Sequence, residues 1–281
     1  MFPPLRNLAA TLALAAATIP SAVLGQLQIS LEMPNTTVLR CEDVPAIVTI
    51  RNNTSLQIPV GGKDGYVLQF DLNSSEGQPV LPNDQNPPLA LVLAPGAETV
   101  ITNNLFRCCK LVDVQQASVV ARVDYDGKSY MSRKLFLDVR NGTEIARLQV
   151  PNGQRTMVHI LGILHRGGHE HLFLQVEDEA GGWIYRAADL GSILRATPPQ
   201  FMLDGSGQTH VLHRSGPEQY SYHVASADGT FVQFEMFNGD YKTVQMSVND
   251  KGEIIVNGMP AEKGDRPPVL QATPFRPDLH R

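Results

Sequence analysis

Ala46-Ile47-Val48-Thr49-Ile50-Arg51 and Ala117-Ser118-Val119-Val120-Ala121-Arg122-Val123 each set apolar side chains on one side of an extended chain and mixed ones on the other. A period of two puts every second residue on the same face of a pleated strand, so both stretches predict half-buried β-strands. Outward from them, short β-rich runs recur between turn residues at Tyr66 to Leu72, Glu98 to Asn103 and Tyr130 to Val139, with Asp126-Gly127 marking a hairpin. The spacing predicts a β-sandwich over 26–140.

Two motifs in this region carry a family likeness. Leu39-Arg40-Cys41-Glu42-Asp43-Val44-Pro45-Ala46-Ile47-Val48-Thr49-Ile50-Arg51-Asn52, then Leu93-Ala94-Pro95-Gly96-Ala97-Glu98, resembles a bacterial immunoglobulin-like domain over about two fifths of the chain. In such domains a strand ending in Arg-Asn precedes a loop, and a Leu-x-Pro-Gly-x-Glu turn introduces a later strand. The resemblance implies an immunoglobulin-like sandwich and carries no activity.

From Ile145 to Met259 the β-rich runs are longer and more aromatic, and an internal repeat emerges. His171 to Tyr185 aligns with Gln219 to Gln233. Phe201 to His213 aligns with Gln245 to Asn257, so that Asp204-Gly205-Ser206-Gly207 answers Asn249-Asp250-Lys251-Gly252. A spacing in the forties of residues resembles the four-stranded blades of β-propellers. Ile145 to Ala187 makes one unit, Gln200 to Phe237 a second and Tyr241 to Asn257 half of a third, fewer than the ~4 blades of a closed propeller. Stacked antiparallel sheets over 141–261 are therefore expected, giving an all-β chain. One linking helix is expected at Ala187 to Ala196, where Leu190, Ile193 and Leu194 share a face ahead of Pro198 and Pro199. The segment 262–281, with Pro267, Pro268, Pro274 and Pro277, is expected to be a disordered or surface-lying tail.

The first residues point to export. A basic start, Met1 to Arg6, leads into the apolar run Leu8 to Pro20 and the small-residue site Ser21-Ala22-Val23-Leu24-Gly25, which reads as a secretory signal peptide over 1–25. Its apolar core is shorter than the ~20 residues that span a bilayer, so no membrane span is expected after cleavage. Removing Arg6 leaves 22 basic against 28 acidic residues, a net charge of −6. Nucleic acid is excluded as a partner by that balance, because phosphate backbones need clustered Lys and Arg. A secreted or periplasmic location permits a disulfide from the three cysteines, Cys41, Cys108 and Cys109. A bridge from Cys41 to Cys108 or Cys109 closes a long loop and leaves one thiol over. Asn35, Asn52, Asn53, Asn73 and Asn141 each begin a glycosylation sequon.

Chemistry is carried by few residues. His169 and His171 in His165-Arg166-Gly167-Gly168-His169-Glu170-His171 share a face if extended, and with Glu177 they form a candidate set for zinc, iron or manganese. The set is similar to the metal motif of cupins, although Gly162 lies one place too far back, Glu177 one place too far on, and the second cupin motif is missing. Asp204, Asp228, Asp240 and Asp250 beside turn glycines offer oxygen to calcium or hold their own turns. Arg107 and Lys110 flank Cys108 and Cys109, the arrangement that lowers a thiol's pKa. Tyr220, Tyr222 and Phe234 form a candidate flat platform for a sugar or a protein. The serine-hydrolase, zinc-peptidase and phosphate-loop motifs are absent.

These observations point to a non-catalytic exported binding or envelope protein, with a protein or carbohydrate partner and no cofactor. Two alternatives stay open: a metal-dependent enzyme or metal-binding protein built on His169 and His171 with a divalent metal, and a secreted inhibitor or chaperone that binds by strand addition.

Overall fold

Along Pro45–Asn52 the buried residues are Ala46, Val48, Ile50 and Asn52, and along Gln116–Tyr125 they are Ala117, Val119, Ala121 and Val123. The period of two read from the sequence is thus the division between core and outer face. The computed structural model describes residues 26–261 apart from 62–67, 82–89, 110, 112–113, 126 and 181–183. The expected signal peptide and tail lie outside the described residues.

The first unit contains β1 (Leu27–Glu32), β2 (Thr37–Leu39), β3 (Pro45–Asn52), β4 (Ile58–Gly61), β5 (Leu68–Ser74), β6 (Ala90–Leu93), β7 (Glu98–Asn104), the helical turn α1 (Leu105–Cys108), β8 (Gln116–Tyr125), β9 (Lys128–Met131) and β10 (Leu135–Arg140). One sheet runs β1-β3-β7; the other runs β2-β10-β8-β5 with β9 beside β8; β4 and β6 pair separately. Strand β2 lies parallel to β10. Leu31, Val48 and Ile50 from the first sheet meet Leu72, Val119 and Leu137 from the second in one apolar core.

Asn52 explains why β3 ends as it does. Its side chain is fully buried, and its amide nitrogen donates to the carbonyls of Leu56, Leu93 and Ala94 at 2.8–3.1 Å. Its amide oxygen accepts from the Thr54 N–H and hydroxyl at 2.9 and 2.7 Å. The main chain adds two bonds, Asn52 N–H to Ala97 O and Gly96 N–H to Asn52 O, each 2.9 Å. One side chain therefore ties the end of β3 to the Leu93-Ala94-Pro95-Gly96 turn. It also removes Asn52 from the usable sequons, since the nitrogen that a glycan would occupy is sealed.

The second unit contains β11 (Thr143–Asn152), β12 (Arg155–Arg166), β13 (His169–Asp178), β14 (Ile184–Ser192), β15 (Gln200–Leu203), β16 (Thr209–Gly216), β17 (Gln219–Ala225), β18 (Phe231–Asn238), β19 (Gln245–Val248), β20 (Ile254–Asn257) and β21 (Met259–Pro260). Two antiparallel sheets, β11-β12-β13-β14 and β15-β16-β17-β18-β21, pack together through Leu161, Leu172, Leu174 and Val176 on one side and Val211 and Ala225 on the other. The β19-β20 hairpin covers the far face of the second sheet, where Val244 and Met246 pack on Leu212, Tyr220, Tyr222 and Phe237.

Several turns share one geometry. At Ser74–Gln78, Asp204–Gln208, Ser226–Thr230 and Asn249–Glu253 the first N–H donates to the fifth carbonyl at 2.8–3.0 Å. The fourth residue is in each case a glycine with φ of 78–81°, a conformation that L side chains resist. Asp204 accepts from the N–H groups of Ser206 and Gln208, and Asn249 from those of Lys251 and Glu253. Asp228 and Asp240 likewise bond to main chain nearby, at Thr230 and at Lys242 and Thr243. The fourth candidate, Asp250, has its turn role taken by Asn249.

The expected linking helix is not formed. Ile184–Ser192 is strand β14, paired with β13. Its register shifts between Leu172 and Phe173 and between Val176 and Glu177, and Gly191 takes φ of 99°, so its inward residues fall at helix-like intervals.

Replacing Asn52 by Ala removes the buried donor to the Leu93 carbonyl and the ties to the Leu56 and Ala94 carbonyls, which keep bonds from Thr54 and Ala97, and is expected to cost about 1–3 kcal/mol in urea unfolding of the mature protein. Asn52→Asp, which turns an oxygen toward the same carbonyls, is expected to cost more.

Candidate functional site

The outer face of the β11–β14 sheet meets the first unit, and the site lies along that joint. β12 contributes Ile160, Gly162, Leu164 and Arg166, and β13 contributes His171, Phe173, Gln175 and Glu177, alternate residues pointing the same way. Leu39, at the end of β2, packs with Leu164, Phe173 and Ala187. Gly142 packs closely here: a Cβ would stand 3.0 Å from Leu39 Cδ1, which would have to give by a few tenths of an ångström, and 3.4 Å from the Ile163 carbonyl oxygen.

A buried ion pair fastens the joint. Glu42, 6 % exposed, accepts from the Leu39 N–H at 2.7 Å and from the Arg166 guanidinium, itself 5 % exposed. Arg166 also reaches Asp189 Oδ2 at 3.1 Å and stands 5.0 Å over the Phe173 ring. His171 Nδ1 lies 2.9 Å from the same Asp189 oxygen, which completes a chain Glu42, Arg166, Asp189, His171. Burial raises the Glu42 carboxyl above its ordinary range against the opposing Arg166 charge. For Asp189 burial pulls upward as well, but the hydrogen bond and charge of His171, with the Gly191 N–H and Arg166, bring it below the ordinary range.

Beside this chain opens a cleft of about 290 Å³, lined by Arg40 from the first unit, Asn141 from the link between the units, and Glu144, Arg147, Gln175 and Glu177 from the second, over Ile160, Phe173 and Ile184. Arg147 and Glu144 form a two-pronged pair at 3.0 and 2.8 Å. Among the described residues Glu177 accepts one long 3.3 Å bond, from Gln175, and burial raises its carboxyl, with Arg147 and Arg40 opposing and Glu144 adding to the rise. A carboxylate held in a cleft with so little hydrogen bonding has capacity for a ligand.

The sequence-derived candidates are dispersed. His169 is exposed at the start of β13, and His171 is engaged by Asp189. Glu177 lies six residues beyond His171 on one extended strand, about 20 Å away at the usual rise, so the three do not converge on an ion. Among the described residues no group of three His, Cys, Asp or Glu side chains is arranged to hold a metal. No disulfide joins Cys41 to Cys109, and the Cys108 side chain lies outside the described residues. The flat platform is not formed: Tyr220 and Tyr222 are 2 and 4 % exposed, packed under the β19-β20 hairpin, while Phe234 faces the other side of the sheet against His223. Tyr222 is further held by His210, whose Nδ1 is 2.6 Å from the phenol oxygen and whose Nε2 is 3.2 Å from Asp204.

Sequence reasoning missed Glu42, Arg166 and Asp189, because 124 residues separate the first two and no local pattern marks their pairing. It also missed Arg40, Glu144 and Arg147, ordinary surface charges until the two units meet.

No protein-family model matches the chain, and no curated protein matches it. Among solved structures it is similar to the crystal structure of a DUF4784 family protein from Bacteroides caccae, with 9 % identity over 84 % of each chain and a TM-score of 0.22. At so low a score the likeness adds nothing to the strand order described above.

Removing one partner of the buried pair leaves the other charge uncompensated, so Arg166→Met or Glu42→Leu alone is expected to cost about 3–5 kcal/mol. The double variant is expected to recover most of that loss, and thermal unfolding of all three proteins reads the difference.

Proposed function

We propose that this is an exported, non-catalytic binding protein that holds a neutral carbohydrate in the cleft between its two β-units. The observation that carries the reading is the charge balance of the lining. Arg147 is already paired with Glu144, while Glu177, Gln175 and Asn141 offer acceptors and donors side by side over an apolar floor. Sugar hydroxyls both donate and accept, and so match such a lining; a strongly charged ligand meets a like charge as near as an opposite one.

In this reading the first unit is an immunoglobulin-like sandwich. Support comes from the β1-β3-β7 and β2-β10-β8-β5 orders, with β2 parallel to β10, and from the contact of the Arg51-Asn52 strand end with the Leu93-to-Glu98 turn. The second unit is built of blade-like repeats, supported by the matching turns at Asp204 and Asn249. The secretory pattern over 1–25 supports a secreted or periplasmic location.

Mature protein screened on an oligosaccharide array and then titrated calorimetrically with the strongest hit tests this. Binding is expected, and Glu177→Ala is expected to weaken it ~10–100-fold through loss of a charge-assisted hydrogen bond. Absence of any sugar binding, or binding that Glu177→Ala leaves untouched, refutes the reading.

A further inference from the structure

A polar seam runs through the otherwise apolar interface between the two stacked sheets of the second unit. His159 on β12 donates from Nε2 to the carbonyl of Ala227, in the turn after β17, at 2.9 Å. His213 on β16 donates from Nε2 to the carbonyl of Leu190, on β14, at 3.1 Å. The two bonds cross the same interface in opposite directions. Arg186 on β14 adds a third crossing to the Gly229 carbonyl at 2.7 Å. At Gly229 a Cβ would stand only 2.7 Å from Val176 Cγ2, so that turn is pressed directly on the opposing sheet.

His223 on β17 stacks on His213, with ring centroids 5.7 Å apart and planes 13° from parallel, and lies against Phe234 and Phe231. Among the described residues His159 Nδ1, His213 Nδ1 and His223 Nε2 are buried and make no close hydrogen bond. A proton added at any of them places a charge on a buried ring, and that desolvation outweighs the main-chain carbonyls that favour it. The ionisable side chains acting on the three rings are Asp189 and Arg186 on β14 and Asp228 in the turn before β18, while Arg214 meets His213 only through its main chain and turns its guanidinium to the Gly216 and Pro217 carbonyls. Asp189 is committed to Arg166 and His171, and Asp228 to Ser226 and Thr230. Stacked rings also send their lone pairs along parallel planes, which does not suit a shared metal ion.

We propose that His159, His213 and His223 form an acid-released latch, which bolts the two sheets together while the rings are neutral and parts them when the rings take up protons. Burial pulls His213 down to about 4 and His223 down to about 3, the latter also through the His213 charge, and lowers His159 below its ordinary 6.5. An opened chain binds these protons near pH 6.5 and the closed one only far below. The latch is therefore fully effective above about 6.5 and weakens as pH falls toward 4, by up to ~10-fold per pH unit for each histidine. All eight histidines lie beyond residue 140, and the three of the latch lie on β12, β16 and β17, so the opening starts in the second unit.

Hydrogen exchange of the mature protein, corrected for intrinsic rates and followed from pH 7 to pH 4, tests the latch independently of any ligand. Amides of β12, β14, β16 and β17 are expected to lose protection between pH 6 and 4 while β3 and β8 keep theirs. A His213→Gln/His223→Phe protein is expected to hold its sheets together to a pH lower by about one unit or more. Equal opening pH in the two proteins, or full protection of wild-type β16 and β17 at pH 4, overturns the proposal. Should the double variant fail to fold, NMR titration of the wild-type imidazoles decides: values near 6.5 for His213 and His223 overturn the latch, and values below 5 uphold it.

Discussion

Strand β12 buries eight consecutive residues, Met157 to Leu164, and a pleated strand does that only when both of its faces are covered. This double burial is the constraint from which the rest of the molecule follows. On the inner face, Met157, Leu161 and Ile163 need the second sheet of their own unit. On the outer face, Leu164 needs the first unit, which supplies Leu39. The sheet β11–β14 is thus the middle layer of the chain, and every polar group on it must find a partner or stay at a margin. Arg166 finds Glu42 and Asp189, and His159 finds the Ala227 carbonyl. The cleft remains where the first unit leaves part of the outer face uncovered.

What the sequence revealed follows from this layering. Ala46 to Arg51 and Ala117 to Val123 were readable as strands because each has one wet face, and a single wet face imposes strict alternation. The Arg51-Asn52 ending and the Leu93-to-Glu98 turn were readable as motifs; that they touch through the Asn52 amide was not. β14 misled because two register shifts and the left-handed Gly191 break its alternation, leaving Leu190, Ile193 and Leu194 at spacings that a helix shares. The aromatic run Tyr220 to Phe237 misled for a related reason. With both faces of the β16-β17-β18 sheet covered, aromatic side chains are core on either side rather than an exposed platform. The candidate site was the least legible part, since Arg40 comes to Glu144, Arg147 and Glu177 only where two separate sheet systems dock.

The two polar seams of the middle layer solve the same problem differently. On the outer face, charges are kept and paired, and the raised Glu42 carboxyl records that desolvation outweighs the attraction of Arg166. Apolar residues of similar volume often replace such a pair at no cost in stability, whereas removing one partner alone is costly. On the inner face, charge is avoided, and neutral imidazoles bond to main-chain carbonyls of the opposite sheet. Phe173 and Leu172, adjacent on β13 and both fully buried, stand one beneath each seam.

The strand orders carry a consequence for how the chain reaches this state. In the second unit the two main sheets are built largely from sequence neighbours, whose loops close quickly. In the first, β2 must wait for β10, about 100 residues later, and β3 for β7. A chain emerging from its amino end therefore exposes its slow-closing part first and completes its quick-closing part last. Glu42 stays solvated until Arg166 has been made, so the joint between the units is sealed only after the strands of the middle sheet exist.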